Sequence, residues 1–122
     1  ADRQFLVLRA ALRRQPGDPA EIAARMDEFV ARRKRTQPQG ASLGSIFKNP
    51  PGDYAGRLIE ACGLKGVTVG GAQVSPIHAN FMINRGSATA SDYNTLIDQV
   101  QAAVLAATGI LLEPEIERLG AW

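Results

Sequence analysis

The sequence predicts a single small α+β domain, a mixed sheet packed against about three helices. Three observations carry this expectation. A chain of 122 residues that is 45% hydrophobic and 21% charged has a globular balance and room for one modest core. Its apolar residues recur at helical spacing in some stretches and gather into short runs between glycines and prolines in others. These two kinds of stretch follow one another without the regular alternation of a parallel α/β fold.

The elements follow in order. Phe5 to Leu12 reads as a strand, and Gln15-Pro16-Gly17-Asp18-Pro19 as a turn or linker. Asp18 before Pro19 is a helix start, because an N-cap carboxylate precedes a proline that needs no amide partner. Ile22, Met26, Phe29, Val30 and Arg33 then recur at helical spacing, which predicts a helix to about residue 35. Gln37 to Gly44 is polar and glycine-bearing, a loop. Ser45 to Lys48 is a short strand candidate, broken by Pro50-Pro51-Gly52.

Asp53 can cap a short helix through Tyr54, Leu58 and Ala61, ended by Gly63. Val67 to Val74 is strand-like with a bend or bulge at Gly70-Gly71, and Phe81-Met82-Ile83 is a further strand. Thr89 and Asp92 have the spacing of a capping box. Tyr93, Leu96, Ile97, Val100, Ala103, Val104 and Ala107 form one apolar helix face, stopped by Gly109. Leu111 to Leu119 closes the chain as a strand.

Several function classes are disfavoured. A net charge of +2 is too small to argue for nucleic acid by itself. No apolar run approaches the roughly 20 residues of a membrane helix, so no membrane partner is expected. The single cysteine, Cys62, excludes an internal disulfide and a CxxC metal site. It suits a reducing, cytoplasmic setting, and no metal is expected. No basic-then-apolar segment suggests a signal peptide. Ala1 and the early apolar run Phe5-Leu6-Val7-Leu8 suggest a piece of something longer, or a processed N-terminus.

The candidate chemistry is sparse. Arg32-Arg33-Lys34-Arg35 stands at a helix end, where cations complement the dipole. The plain reading is a solvated run, and the sharper one is a phosphate contact. Glu113, Glu115 and Glu117 alternate with Leu112, Pro114 and Ile116, which in a strand puts three carboxylates on one face. That is the wet side of an edge strand, or a place where one carboxylate assists proton transfer.

Ser45 has no GxSxG context for a nucleophile. It suits a proton donor if Lys48 or a distant arginine lowers the cost of its alkoxide. His78, the only histidine, reads first as an ordinary satisfied polar residue. No GxGxxG follows a strand, no P-loop is present, and Gly70-Gly71 is too short to cradle a cofactor. From the residues alone no reaction follows.

A further pattern lies in the order of the motifs. Gly44-Ser45-Ile46-Phe47-Lys48-Asn49-Pro50 is followed by Ala55-Gly56-Arg57-Leu58-Ile59-Glu60 and Gly63-Leu64-Lys65-Gly66. Then come Gly70-Gly71-Ala72-Gln73-Val74-Ser75, His78-Ala79-Asn80-Phe81 with Ile83-Asn84, and Leu112-Glu113-Pro114-Glu115-Ile116 with Gly120. From about residue 36 to 120 this series resembles the bacterial UDP-N-acetylenolpyruvoylglucosamine reductases.

The resemblance implies an enzyme that reduces an enolpyruvyl ether on a UDP-sugar to a lactyl ether, making UDP-N-acetylmuramate for peptidoglycan with FAD and NADPH. It implies that Ser45 is the proton donor and that Glu115 orients or polarises the enolpyruvyl group. It implies that Asn49 contacts the substrate diphosphate, and that His78 stands where some members carry a glutamine. A phosphate-binding lysine of the family falls near Arg35 or Gln37. Gly44 would let backbone approach flavin and substrate closely.

The family has two FAD-binding domains before this region. Residues 1–17 are expected to be a strand and linker, the end of that missing part, and residues 18–122 the C-terminal substrate-binding domain. The family's catalytic arginine also lies in the missing part. The chain by itself is expected to hold no FAD and to have no reductase activity. The competing reading is a stand-alone nucleotide- or RNA-binding module using Arg32 to Arg35.

Overall fold

The structure is a computed structural model that describes residues 7–120. Asp18 starts helix α1, Pro19–Thr36, by accepting hydrogen bonds from the amides of Ala20 at 2.8 Å and Glu21 at 3.0 Å through Oδ1. The remaining elements, in order, are β1 (Ser42–Ser45), α2 (Ala55–Ala61), β2 (Thr68–Val69), β3 (Ala72–Val74), β4 (Phe81–Asn84) and α3 (Ala90–Thr108). This is the expected α+β class with three helices, in a four-stranded sheet of order β1-β4-β3-β2. Every pairing in it is antiparallel, rather than mixed.

The capping box at Thr89 forms as expected. Asp92 N–H donates to Thr89 Oγ1 at 3.1 Å, and Thr89 N–H donates to Asp92 Oδ2 at 2.9 Å. Gly109 ends α3 at φ 75°, a conformation that favours glycine. The helix lays Leu96, Ile97, Val100 and Val104 onto β2, β3 and α2. Ile46, Phe47, Val74 and Met82 meet them in the core.

The expected bend at Gly70-Gly71 is a two-residue hairpin turn joining β2 to β3. It also packs against the chain just before α3: a Cβ on Gly71 would stand 2.3 Å from the backbone nitrogen of Ala88. Only glycine fits there. Gly71 N–H in turn donates to Asp92 Oδ2 at 3.3 Å, so one carboxylate ties the hairpin tip to the helix start.

These bonds hold the Asp92 carboxyl below its ordinary range, the Thr89 amide contributing most and the Gly71 amide next. With the folded pKa lowered, this contribution is present above the unfolded value of ~3.9 and is lost as pH falls through the folded one. A carbon-detected titration of Asp92 is expected to give a midpoint below 3.8. A midpoint at or above that value would show that the cap does not favour the charged form.

Four expectations are corrected. For the strand expected at Phe5 to Leu12, Phe5 and Leu6 lie outside the described residues. Residues 7–12 are irregular, with Leu8 and Leu12 87% and 88% exposed, because no described strand pairs with them. The strand expected at Ser45 to Lys48 lies earlier, at Ser42–Ser45, where β4 supplies partners.

Asp53 does not cap α2: the N-cap is Tyr54, and Asp53 pairs with Arg57 instead. The Arg57 guanidinium, aided by the Tyr54 amide, holds the Asp53 carboxyl at about 2. Finally, Leu111 to Leu119 is not a strand. It makes one isolated bridge, Phe47 to Pro114, since proline lacks the amide that would continue a ladder.

Candidate active site

The segment from Ser45 to Asn49 is built by a register slip. Ser42 pairs with Ile83, yet Ser45 pairs with Phe81, so three steps on β1 match two on β4. One extra residue makes a bulge, and Gly44 sits there at φ 80°. Past the bulge the chain leaves β4 and is held from both sides. Ile46 N–H donates to Asn80 O at 2.9 Å, Glu115 N–H to Ile46 O at 2.8 Å, and Lys48 N–H to Glu113 O at 2.9 Å.

The centre of this arrangement is the Asn80 side chain, only 4% exposed. Its Oδ1 accepts from Phe47 N–H at 2.9 Å and its Nδ2 donates to Phe47 O at 2.8 Å. A side-chain amide thus does the work of a missing strand, and the extended segment keeps its alternation. Ser45 and Asn49 turn to one cavity, which the core residue Phe47 also borders, while Ile46 lies in the core away from it.

That cavity has a volume of about 460 Å³ and is lined on different sides by Ser45, Asn49, His78 and Glu115. Each has a local cause. Asn49 Oδ1 accepts from the Ala55 amide at 3.0 Å, satisfying a free donor at the start of α2. This fixes the amide orientation and leaves Nδ2 as a donor.

His78 ends a tight turn. The buried Ser75 hydroxyl accepts from the amides of Ile77 at 3.1 Å and His78 at 3.2 Å. Nδ1 of His78 accepts from Asn80 N–H at 3.2 Å, so a neutral ring carries its proton on Nε2. Its ring meets Phe81 edge-on with centroids 4.8 Å apart. Gly56 permits this closeness: a Cβ there would stand 3.1 Å from His78 Cε1.

The three glutamates of the closing segment do not share one destination. Glu113 pairs with Lys48 on the exposed surface, as the wet-edge reading expects. Glu115 lines the cavity with Ser45, and Glu117 lines a separate hollow beside Tyr93. Arg35 does not line the cavity. Gln37 lines a neighbouring hollow with Arg33, Lys34 and Gly44. Among the described residues no cluster of metal-ligand type occurs.

Sequence reading missed Tyr54, Arg57, Glu60 and Asn80 as wall residues. Asp53 and Arg57 stand four residues apart, a spacing that signals the ion pair they make. Glu60 is held by Lys65 at 2.6 Å. Asn80 stands in one block of the motif series, but nothing there signalled its bonds to Phe47, which is distant in sequence.

An antiparallel sheet backed by helices, with a hydroxyl, an amide, an imidazole and a carboxylate around one open cavity, defines the class. It is an α+β domain with one open, polar-lined cavity. Residues 36–119 match the family model described as UDP-N-acetylenolpyruvoylglucosamine reductase, C-terminal domain, and the chain belongs to that family.

A reductase of that name from Methylococcus capsulatus is 54% identical over 112 residues, 91% of this chain and 37% of the relative. One from Chloroflexus aurantiacus is 53% identical over 111 residues, again 91% of this chain and 37% of the relative. The crystal structure of the enzyme from Thermus caldophilus superposes with a TM-score of 0.68 at 46% identity, covering 80% of this chain and 34% of that one. The chain therefore spans well under half the length of these relatives. No described helix is long and apolar enough to cross a membrane.

Proposed function

We propose that this chain is the substrate-binding part of a UDP-N-acetylenolpyruvoylglucosamine reductase, contributing to peptidoglycan precursor synthesis in the cytoplasm. The observation that carries the reading is the convergence of Ser45, Asn49, His78 and Glu115 on one cavity from segments far apart in sequence. In this reading Asn49 Nδ2 and His78 Nε2–H donate to the diphosphate of UDP-N-acetylglucosamine enolpyruvate. Ser45 Oγ gives the proton to the carboxyl-bearing carbon, and Glu115 orients the enolpyruvyl group. Gln37 and Arg35 serve the substrate from outside this cavity, Gln37 beside Gly44.

A serine gives up its proton only if a cation stabilises what remains. Lys48 is engaged with Glu113 and lines no part of the cavity, and Arg57, which does line it, is engaged with Asp53. The cation therefore comes from the part of the longer enzyme that this chain lacks, where the family carries its catalytic arginine. FAD and NADPH belong to that whole enzyme. Gly44 has no atom within 4 Å of where a Cβ would stand, so it offers one open edge to a planar ring. Ser45 beside it can face the same space. The other walls of a flavin site would come from the absent part. When bound, the flavin supplies hydride. Without that part this chain holds no FAD and does not turn over.

The test is a two-dimensional NMR titration of the 122-residue chain with UDP-N-acetylglucosamine. The amides of Asn49, Ala55, His78 and Asn80 are expected to shift together. Shifts confined to Arg32 to Arg35, or salt-sensitive RNA binding lost when that run is neutralised, would replace this reading with a nucleic-acid module.

A further inference from the structure

Helix α1 is out of keeping with the rest of the molecule. It is 18 residues long and capped at its start, yet it buries no residue. Ile22, Met26, Phe29 and Val30 fall within one stripe about 100° wide, the width of a face made to be covered. They stand 45%, 61%, 58% and 51% exposed. The other two helices both bury apolar residues. Most of a helix's stability in a protein comes from packing its apolar face, so a stripe like this needs a partner to hold it.

We propose that the α1 stripe is the seat of the N-terminal portion that the longer relatives possess, and that α1 belongs structurally with that portion. Three facts select this occupant. The family match begins at residue 36, the last residue of α1. That match is to a C-terminal domain, so the remainder of the relatives precedes it. The chain spans 37% of the relatives, which leaves a body large enough to cover the stripe.

The stripe also leads to the site. Val30 and Arg33 line one side of a hollow whose other side is Gly44 and Phe81. A body seated on α1 ends against the bulge that carries Ser45. The boundary expected at residue 17 moves to residue 36. The proposal rests on family membership and not on the reaction assigned above, so either can fail without the other.

The experiment is hydrogen exchange on two proteins: the 122-residue chain, and the same chain joined behind the N-terminal portion of the Methylococcus capsulatus relative. In the chain alone, α1 amides are expected to exchange rapidly while α3 amides are protected. In the fusion, α1 protection is expected to rise at least roughly a hundredfold and to be lost in the Met26→Asp/Phe29→Asp variant. Unchanged α1 exchange in a fusion with protected α3 overturns the proposal. So does concentration-dependent α1 protection in the chain alone, which would make a second copy the occupant.

The same double variant in the chain alone gives an independent reading. Its Tm is expected to move by less than about 3 °C, because the stripe is open there. A larger fall would mean the stripe is already covered within this chain, and would overturn the proposal whatever the fusion does.

Discussion

Replacing Ser45 by alanine in a full-length enzyme carrying this domain is expected to lower substrate reduction roughly 10²- to 10⁴-fold, the range for loss of a positioned acid. The NADPH half-reaction should stay near normal, because Ser45 faces, from the end of β1, the cavity proposed above to hold the substrate. The fold should be unaffected. Ser45 is only partly buried, and none of the described residues takes its hydroxyl as a hydrogen-bond partner. Rapid mixing of each half-reaction separately checks this. Equal loss of both, or turnover within a few-fold of the parent, would remove Ser45 from the proton-donor role.

Asn80→Ala is expected to be the most damaging polar substitution to stability. It strands the Phe47 amide and carbonyl, both now bonded to one buried side chain. Each unpartnered buried group costs about 1–3 kcal/mol, so a loss of about 2–6 kcal/mol is expected for the two, a large share of a small domain's stability. Urea unfolding of the isolated chain measures it, and a loss below about 0.5 kcal/mol would mean water replaces the amide without cost.

Asn80→Asp separates the two bonds. It keeps the acceptor for Phe47 N–H but sets a carboxylate against Phe47 O. The folded state then favours the protonated acid, so the folded pKa is raised. The recovered stability is present below the unfolded value of ~3.9 and is lost as pH rises through the folded one. The deficit relative to the parent chain should therefore narrow in acid. Because Phe47 lies between Ser45 and Asn49, any slack at Asn80 also moves both site residues.

Much of this was legible along the chain, for local reasons. Asp18-Pro19 and the Thr89 to Asp92 box mark helix starts because a side chain there reaches an amide two or three residues away. The stripe from Tyr93 to Val104 reads as a buried face because its spacing is that of the helix. The ordered motifs from Gly44 to Glu115 identified the family, which the match over residues 36–119 bears out. The closing strand misled, because alternation in Glu113 to Glu117 resembles a strand whether or not a partner lies alongside. Only one bridge, at Pro114, forms there.

Sequence by itself determined the α+β class, the ends of α1 and α3, and the family. Each depends on contacts within a few residues or on a motif series. Tertiary structure alone decided that the closing segment lies beside Ile46, which brings Glu115 to the cavity that Ser45 lines, and that Asn80 holds the segment between Ser45 and Asn49. Those outcomes depend on partners separated by tens of residues: Phe47 with Asn80, and Ile46 with Glu115. No local spacing encodes such pairs. They exist only once the one-residue bulge at β1 has set the register against β4.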